Sequence, residues 1–172
     1  DVVLKVRDLC VPSHTHKRNA VDHVSFDARA GEILCIAGID GNGQTEFIHA
    51  LTGLDKSNGG TVTLCGKDIS HASIRRRGEC MSHIPEDRHK HGLVLDFTLE
   101  QNLVLQRYKE PEFEKGGFIK KDAVRAYAER LIEEYDIRSG QGPVTTARSM
   151  SGGNQQKAII AREIDDDPQL LV

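Results

Sequence analysis

Gly38-Ile39-Asp40-Gly41-Asn42-Gly43-Gln44-Thr45 is the stretch on which the reading of this chain turns. Its spacing follows the phosphate-cradling pattern G-x-x-x-x-G-K-[ST] at every position but one. Glycines at these intervals let backbone N–H groups turn inward around an anion. A helix starting behind them adds the positive end of its dipole. Upstream, Gly31 opens Glu32-Ile33-Leu34-Cys35-Ile36-Ala37, a nearly continuous apolar run expected to form a parallel strand buried on both faces. Downstream, residues 45–54 read as a helix ending at Leu51-Thr52-Gly53. Strand, glycine loop and helix in that order make half of a parallel α/β unit.

Within the loop, the Thr45 hydroxyl is placed to ligate Mg²⁺. Gln44 stands where the pattern calls for lysine. Its amide can donate to a phosphate oxygen but carries no charge, and charge-assisted hydrogen bonds are about twice as strong as neutral ones. Nucleotide binding and hydrolysis at this loop are therefore expected to be weakened. Taken alone, the loop is equally compatible with a glycine-rich turn that only packs closely between strand and helix.

A second stretch changes that balance. Ser151-Gly152-Gly153-Asn154-Gln155-Gln156-Lys157 sets a hydroxyl and two glycines directly before a predicted helix over residues 154–164. Backbone donors, a serine hydroxyl and a helix dipole then converge on one point. The plainer reading makes Ser151 a helix cap with a glycine linker. Yet capping needs no pair of following glycines, which disfavour helix initiation.

The intervening pattern supports an α/β chain. Residues 2–9 and 21–28 alternate as strands do, as do residues 61–65 after the turn Asn58-Gly59-Gly60. Residues 81–84 read as another strand, stopped by Pro85. Residues 98–108 read as helical. Residues 121–136 form the clearest amphipathic helix, with Val124, Ala128, Leu131, Ile132 and Tyr135 on one face and Asp122 as its N-cap.

These two loops, with His83-Ile84-Pro85-Glu86-Asp87-Arg88, Gly92-Leu93 and Leu99-Glu100-Gln101-Asn102-Leu103, carry a resemblance that covers essentially the whole chain. The sequence resembles an ABC transporter nucleotide-binding domain, most closely the second such domain of bacterial sugar and nucleoside import systems. The resemblance implies an α/β fold: a P-loop NTPase core of ABC type, with an antiparallel β subdomain and an α-helical subdomain. It implies one partial domain over 1–172. Residues 1–85 would hold the β subdomain and phosphate-loop core, 86–148 the helical subdomain, and 149–172 the signature helix and the start of the Walker B strand.

By the same resemblance, Gly38, Asp40, Gly41, Asn42, Gly43, Gln44 and Thr45 bind nucleotide as the Walker A loop. Ser151, Gly152, Gly153, Asn154 and Gln155 form the signature. Glu86 takes the Q-loop position, where a glutamine is usual, and would reach Mg²⁺ through ATP together with Thr45. The adenine-stacking aromatic would fall near His14–Lys17, where no Tyr or Phe stands and an imidazole could substitute. Implied cofactors are ATP and Mg²⁺. Implied partners are a second ABC domain on the same chain and transmembrane permease subunits, at the cytoplasmic face of the membrane. The expected activity is ATP binding and hydrolysis powering uptake of a nucleoside or sugar.

Asp1 in place of an initiator Met and the apolar Leu170-Leu171-Val172 suggest an excised piece. The catalytic Walker B carboxylates would then lie beyond Val172, so this piece alone is expected to be inactive. Open sheet edges would favour self-association.

Composition removes other classes. No stretch approaches the roughly 20 apolar residues a membrane span needs. With 23 basic against 26 acidic residues, the formal charge of -3 argues against nucleic acid as partner. That leaves a soluble ABC ATPase acting on nucleic acid as a rival without its expected basic surface. A regulatory module that binds nucleotide without hydrolysing it is the other rival. Cys10, Cys35, Cys65 and Cys80 form no C-x-x-C pair and read as free thiols. His14, His16, His89 and His91 lie in polar stretches and read as solvated, as does the basic face of Ile74-Arg75-Arg76-Arg77.

Overall fold

The computed structural model describes residues 1–15, 17–39 and 41–172, so Asp40 of the phosphate loop and His16 lie outside the described residues. The chain divides into two compact units, Asp1–His83 with Pro168–Val172, and Ile84–Asp167.

The first unit is built on an antiparallel sheet. Strand β1 (Val2–Pro12) pairs on one side with β2 (Asn19–Arg29) and on the other with β3 (Gly59–Leu64). The short β4 (Lys67–Asp68) completes the order β2-β1-β3-β4. Cys65 and Gly66, at φ 48° and 77°, form the two-residue turn between β3 and β4. Two positive φ values match the right-handed twist of the paired strands. As the central strand, β1 buries Leu4, Val6, Leu9 and Val11. Helix α1 (Gln44–Thr52) lays Phe47, Ala50 and Leu51 on this core, with the Phe47 ring 5.8 Å from that of Phe26. Gly53, at φ 87°, ends α1 in the left-handed conformation that glycine adopts without strain.

The expected buried strand at residues 32–37 does not form. Residues 32–39 adopt no regular structure, and Ile33 is 98% exposed, with Leu34 and Ile36 also exposed. A parallel strand is buried only when neighbours occupy both sides of its hydrogen-bond ladder. Among the described residues the only parallel pairing joins β5 (Met81–Ser82) to Leu170–Leu171. The apolar run thus has the composition of a central strand but no ladder to enter. The strand expected over residues 81–84 shortens to those two residues of β5.

The basic segment is helical, as α2 (Ile74–Arg77), with Ser73 accepting from the Arg76 N–H as its cap. Its face is not wholly solvated, however. Arg77 is buried and donates to the carbonyls of Leu51, Ala72 and Ser70 at 2.8, 3.1 and 3.2 Å. Three carbonyls left over at turn ends supply the acceptors that make this burial tolerable.

The second unit is mainly helical. Thr98 and Gln101 make a reciprocal capping box at the start of α3 (Leu99–Leu103). A small hairpin of β6 (Glu114–Lys115) and β7 (Phe118–Ile119) precedes α4 (Lys121–Glu134), and α5 (Gly152–Asp165) follows after two single turns. Leu99, Leu103, Phe113, Val124, Tyr127, Ala128, Leu131, Ala158 and Ala161 form its core. The expected face of α4 is the buried one, with Ile132 and Tyr135 at its margin. Asp122 is not its cap: α4 begins at Lys121, capped by no side chain, and Asp122 sits in the first turn, where its charge suits the dipole.

Helix α3 stops five residues short of expectation. In a continued helix the Asn102 carbonyl would accept from the Gln106 N–H. Here it accepts from Arg162 at 3.3 Å and from the Leu105 N–H at 3.4 Å, which tightens the chain into successive turns. Arg162 is itself buried against Glu163, at 2.8 Å, and Glu163 also accepts from Gln106 at 3.0 Å. The long-range hydrogen bond from Arg162 to the Asn102 carbonyl, invisible to local periodicity, ends the helix.

Candidate functional site

The phosphate loop, in the first unit, is shaped by backbone rather than by side chains. Gly41 and Gly43 have φ 83° and 88°, where only glycine sits without strain. Gly43 is also packed: a Cβ there would lie 2.3 Å from the carbonyl oxygen of Ala20 on β2. The Asn42 N–H donates to the Ile39 carbonyl at 3.1 Å, closing the turn. No side chain caps α1 at Gly43, and Thr45 is exposed in its first turn. Uncapped N–H groups at a helix start, with a hydroxyl beside them, fit a phosphate oxygen and a Mg²⁺ ligand.

Gln44 fills part of this loop. Its amide nitrogen donates toward the Ile36 carbonyl at 3.5 Å, and its side chain lies 3.0 Å from where a Gly38 Cβ would stand. Gly38 therefore has a second reason to be glycine, which is room for the Gln44 carboxamide.

The signature stretch, in the second unit, is shaped by side chains. Ser151 has extended backbone (φ -64°, ψ 152°), and its hydroxyl accepts from the Asn154 backbone N–H at 3.5 Å and side-chain amide at 2.9 Å. Asn154 in turn accepts from the Arg138 N–H at 2.9 Å. Gly153 has nothing within 4 Å of its missing Cβ, whereas a Cβ on Gly152 would meet the Arg88 guanidinium at 2.8 Å. The two glycines are thus unlike: one leaves open space above the helix start, the other makes room for an arginine. Gln155 faces inward, donating to the Ala147 carbonyl at 2.8 Å and meeting Arg88 and His89 through its oxygen at 3.3 and 3.0 Å. Its burial makes it a support for the stretch rather than a surface contact.

Arg88 is the residue whose part sequence reasoning did not assign. The turn that carries it, Arg88–Gly92, is capped by Asp87, which accepts from the His89 and Lys90 N–H groups at 3.0 and 3.1 Å. These backbone donors, Lys90 first, hold the Asp87 carboxyl below its ordinary range. Gly92 closes the turn against α5, where a Cβ would meet Ile159 at 2.6 Å. Glu86, the expected Q-loop residue, is exposed just before this turn.

Near the expected adenine position, His14 Nε2 lies 2.9 Å from Asp55 Oδ2, and His49 Nδ1 lies 3.3 Å from the same oxygen. The Asp55 hydrogen bond raises the His14 pKa, and the His14 bond lowers that of Asp55. His14 is thus tied to a carboxylate rather than simply solvated.

Comparison with known proteins bears on the whole chain. The sequence profile of the ABC transporter family matches residues 21–172. The nucleoside import ATP-binding protein NupA of Lactococcus lactis is 48% identical over 173 aligned residues, covering 100% of this chain and 34% of that protein. The guanosine import ATP-binding protein NupO of Bacillus subtilis is 50% identical over 153, covering 88% of this chain and 30% of that protein. This chain therefore spans about a third of the length of these curated relatives. Among solved structures, a dimeric bacterial ABC transporter cassette superposes with a TM-score of 0.78 at 17% identity, covering 98% of this chain and 72% of that one. An ATP-binding subunit of an ABC transporter gives 0.74 at 22% identity, over 98% and 64%. At such identities these two speak for the fold alone, the α/β P-loop fold of ABC cassettes. Two glycine-rich helix starts at the expected spacing, that fold and the profile match lead to one assignment: the chain belongs to the ABC transporter family of ATP-binding proteins.

Proposed function

We propose that this chain is one nucleotide-binding domain, the second of two, in the ATP-binding subunit of an importer for a nucleoside or sugar. The nucleoside and guanosine import roles for which NupA and NupO are named, with their roughly threefold greater length, support this reading. In it, residues 1–172 form a single partial domain at the cytoplasmic face of the membrane, docked on permease subunits. No helix among the described residues is long and apolar enough to cross a membrane.

ABC domains act in pairs, the phosphate loop of one facing the signature of the other. The loop from Gly38 to Thr45 would hold ATP phosphates through its backbone donors and Mg²⁺ through Thr45, with Glu86 contributing at the Q-loop position. Because Gln44 brings no charge to phosphate, this site is degenerate. Ser151 and Gly153 complete the other site, on a partner domain with a full lysine loop. Phosphoryl transfer rests on positioning and charge neutralisation, so a signature that serves a competent loop remains part of the reaction.

The observation that carries the proposal is the contrast at the two helix starts. Gln44 folds back on Ile36, while Ser151 and Gly153 leave the start of α5 exposed and open. The test is ATP hydrolysis by the intact importer. Ser151→Ala is expected to lower kcat on the order of a hundredfold, as loss of a transition-state donor does. Gln44→Ala is expected to leave kcat within about twofold, the size of change that loss of under 0.5 kcal/mol would give. Equal losses in both variants would refute the asymmetry, and indifference to both would favour a regulatory, non-hydrolytic module.

A further inference from the structure

Strands β1 and β2 carry an irregularity that brings three metal-ligating side chains together. Leu9 pairs with Val24 and Val11 pairs with Val21, so Cys10 alone on β1 stands opposite both Asp22 and His23 on β2. Two residues facing one define a β-bulge, which re-aims side chains that would otherwise alternate between faces. His23 takes φ 51° there, in the left-handed region that non-glycine residues rarely occupy. As a result a ligand atom of Cys10, one of Asp22 and one of His23 all lie within 4.8 Å of one another. Among the described residues this is the one group of three such donors.

We propose that the bulge binds a borderline-soft divalent cation of the Zn²⁺ class through Cys10, Asp22 and His23. Thiolate, imidazole and carboxylate together suit such an ion, whereas Mg²⁺ and Ca²⁺ take oxygen donors. Three protein ligands leave a fourth, water-filled position in a tetrahedral site. Local bonds orient the donors. The His23 N–H donates to Cys10 Sγ at 3.3 Å, and Sγ in turn donates to the Asp8 carbonyl at 3.5 Å, so the sulfur is held in place between the two strands. Asn19 Nδ2 donates to Asp22 Oδ1 at 3.1 Å, leaving the second carboxylate oxygen for a ligand. Cys10 is buried and Asp22 and His23 are exposed, so the site is closed at the sulfur and open at the other two ligands. It is separate from the phosphate loop, yet β2 also carries Ala20, whose carbonyl backs Gly43, so a bound cation would pin the strand against which that loop packs.

The test is titration of the full chain with Co²⁺, read by sulfur-to-cobalt charge-transfer absorption in the near ultraviolet, then competed with Zn²⁺ and with Mg²⁺. A single saturable equivalent is expected, displaced by Zn²⁺ but not by Mg²⁺, and abolished by Cys10→Ser. His23→Asn, which tolerates the left-handed backbone, and Asp22→Asn are surface changes that leave folding intact, and each is expected to weaken binding about tenfold or more. Absence of the band in the unaltered chain would overturn the proposal. So would a band that survives Cys10→Ser through the exposed Cys35 or Cys65, or one indifferent to both surface variants.

Discussion

Two helices in this protein begin at glycines, and they begin in opposite ways. Helix α1 starts from Gly43 at φ 88°, with no capping side chain and a β-strand carbonyl against its back. Helix α5 starts from Ser151 in extended backbone, capped by its own hydroxyl, with Arg88 over Gly152 and Gln155 pinned beneath. The first leaves its backbone donors for a ligand and depends on conformations only glycine allows. The second satisfies its own start, holds its hydroxyl in a defined place and leaves Gly153 open. The two starts are thus told apart by what their glycines make room for, a strand carbonyl at Gly43 and an arginine at Gly152.

Alanine at Gly43 should break the contrast most. Both the positive φ and the approach to the Ala20 carbonyl oppose a Cβ, so Gly43→Ala should destabilise the first unit by about 3 kcal/mol, left-handed strain and overpacking combined. Urea unfolding followed by circular dichroism would measure it, and a loss below about 0.5 kcal/mol would mean the loop is not held against β2. Ser151→Ala removes only a cap and should cost about 1 kcal/mol in the same assay. A cost equal to that of Gly43→Ala would erase the distinction between backbone-built and side-chain-built starts.

A smaller effect sharpens the picture on the first unit. His14 is raised above its ordinary pKa by Asp55, and Asp55 is lowered by His14. The His14 contribution is complete below the ordinary imidazole value and disappears as pH rises through the raised one. The Asp55 contribution is present above the ordinary carboxylate value and disappears as pH falls through the lowered one. The contact therefore stabilises between those two limits, weakly, since His14 is largely exposed. Proton NMR titration should show the His14 pKa fall toward its ordinary value in Asp55→Asn, and no change would dissolve the pair.

How much of this could be read in the sequence depended on how local the cause was. The alternation of β1 and β2, the apolar face of α4 and the two glycine-rich helix starts follow from spacing alone. The strand expected at residues 32–37 did not form, because an apolar run records what could be buried, not which neighbours are present. Helix α3 ended early because Arg162, sixty residues away, claims the Asn102 carbonyl. Arg88 escaped assignment because its role lies in a contact with Gly152, and the Cys10–Asp22–His23 group because it exists only in the register of a bulge. Asp122 stands two positions inside the cap it was expected to form, since α4 begins at Lys121 and no side chain caps it.

The central claim is that the phosphate loop has the backbone for its ligand and lacks only the charge. Calorimetric titration with Mg-ATP of this chain and of its Gln44→Lys variant tests that most directly. The account predicts weak binding that tightens about tenfold or more with lysine, the gain expected when a neutral hydrogen bond becomes a charged one. Equal affinity in the two proteins, or binding in neither, would contradict it.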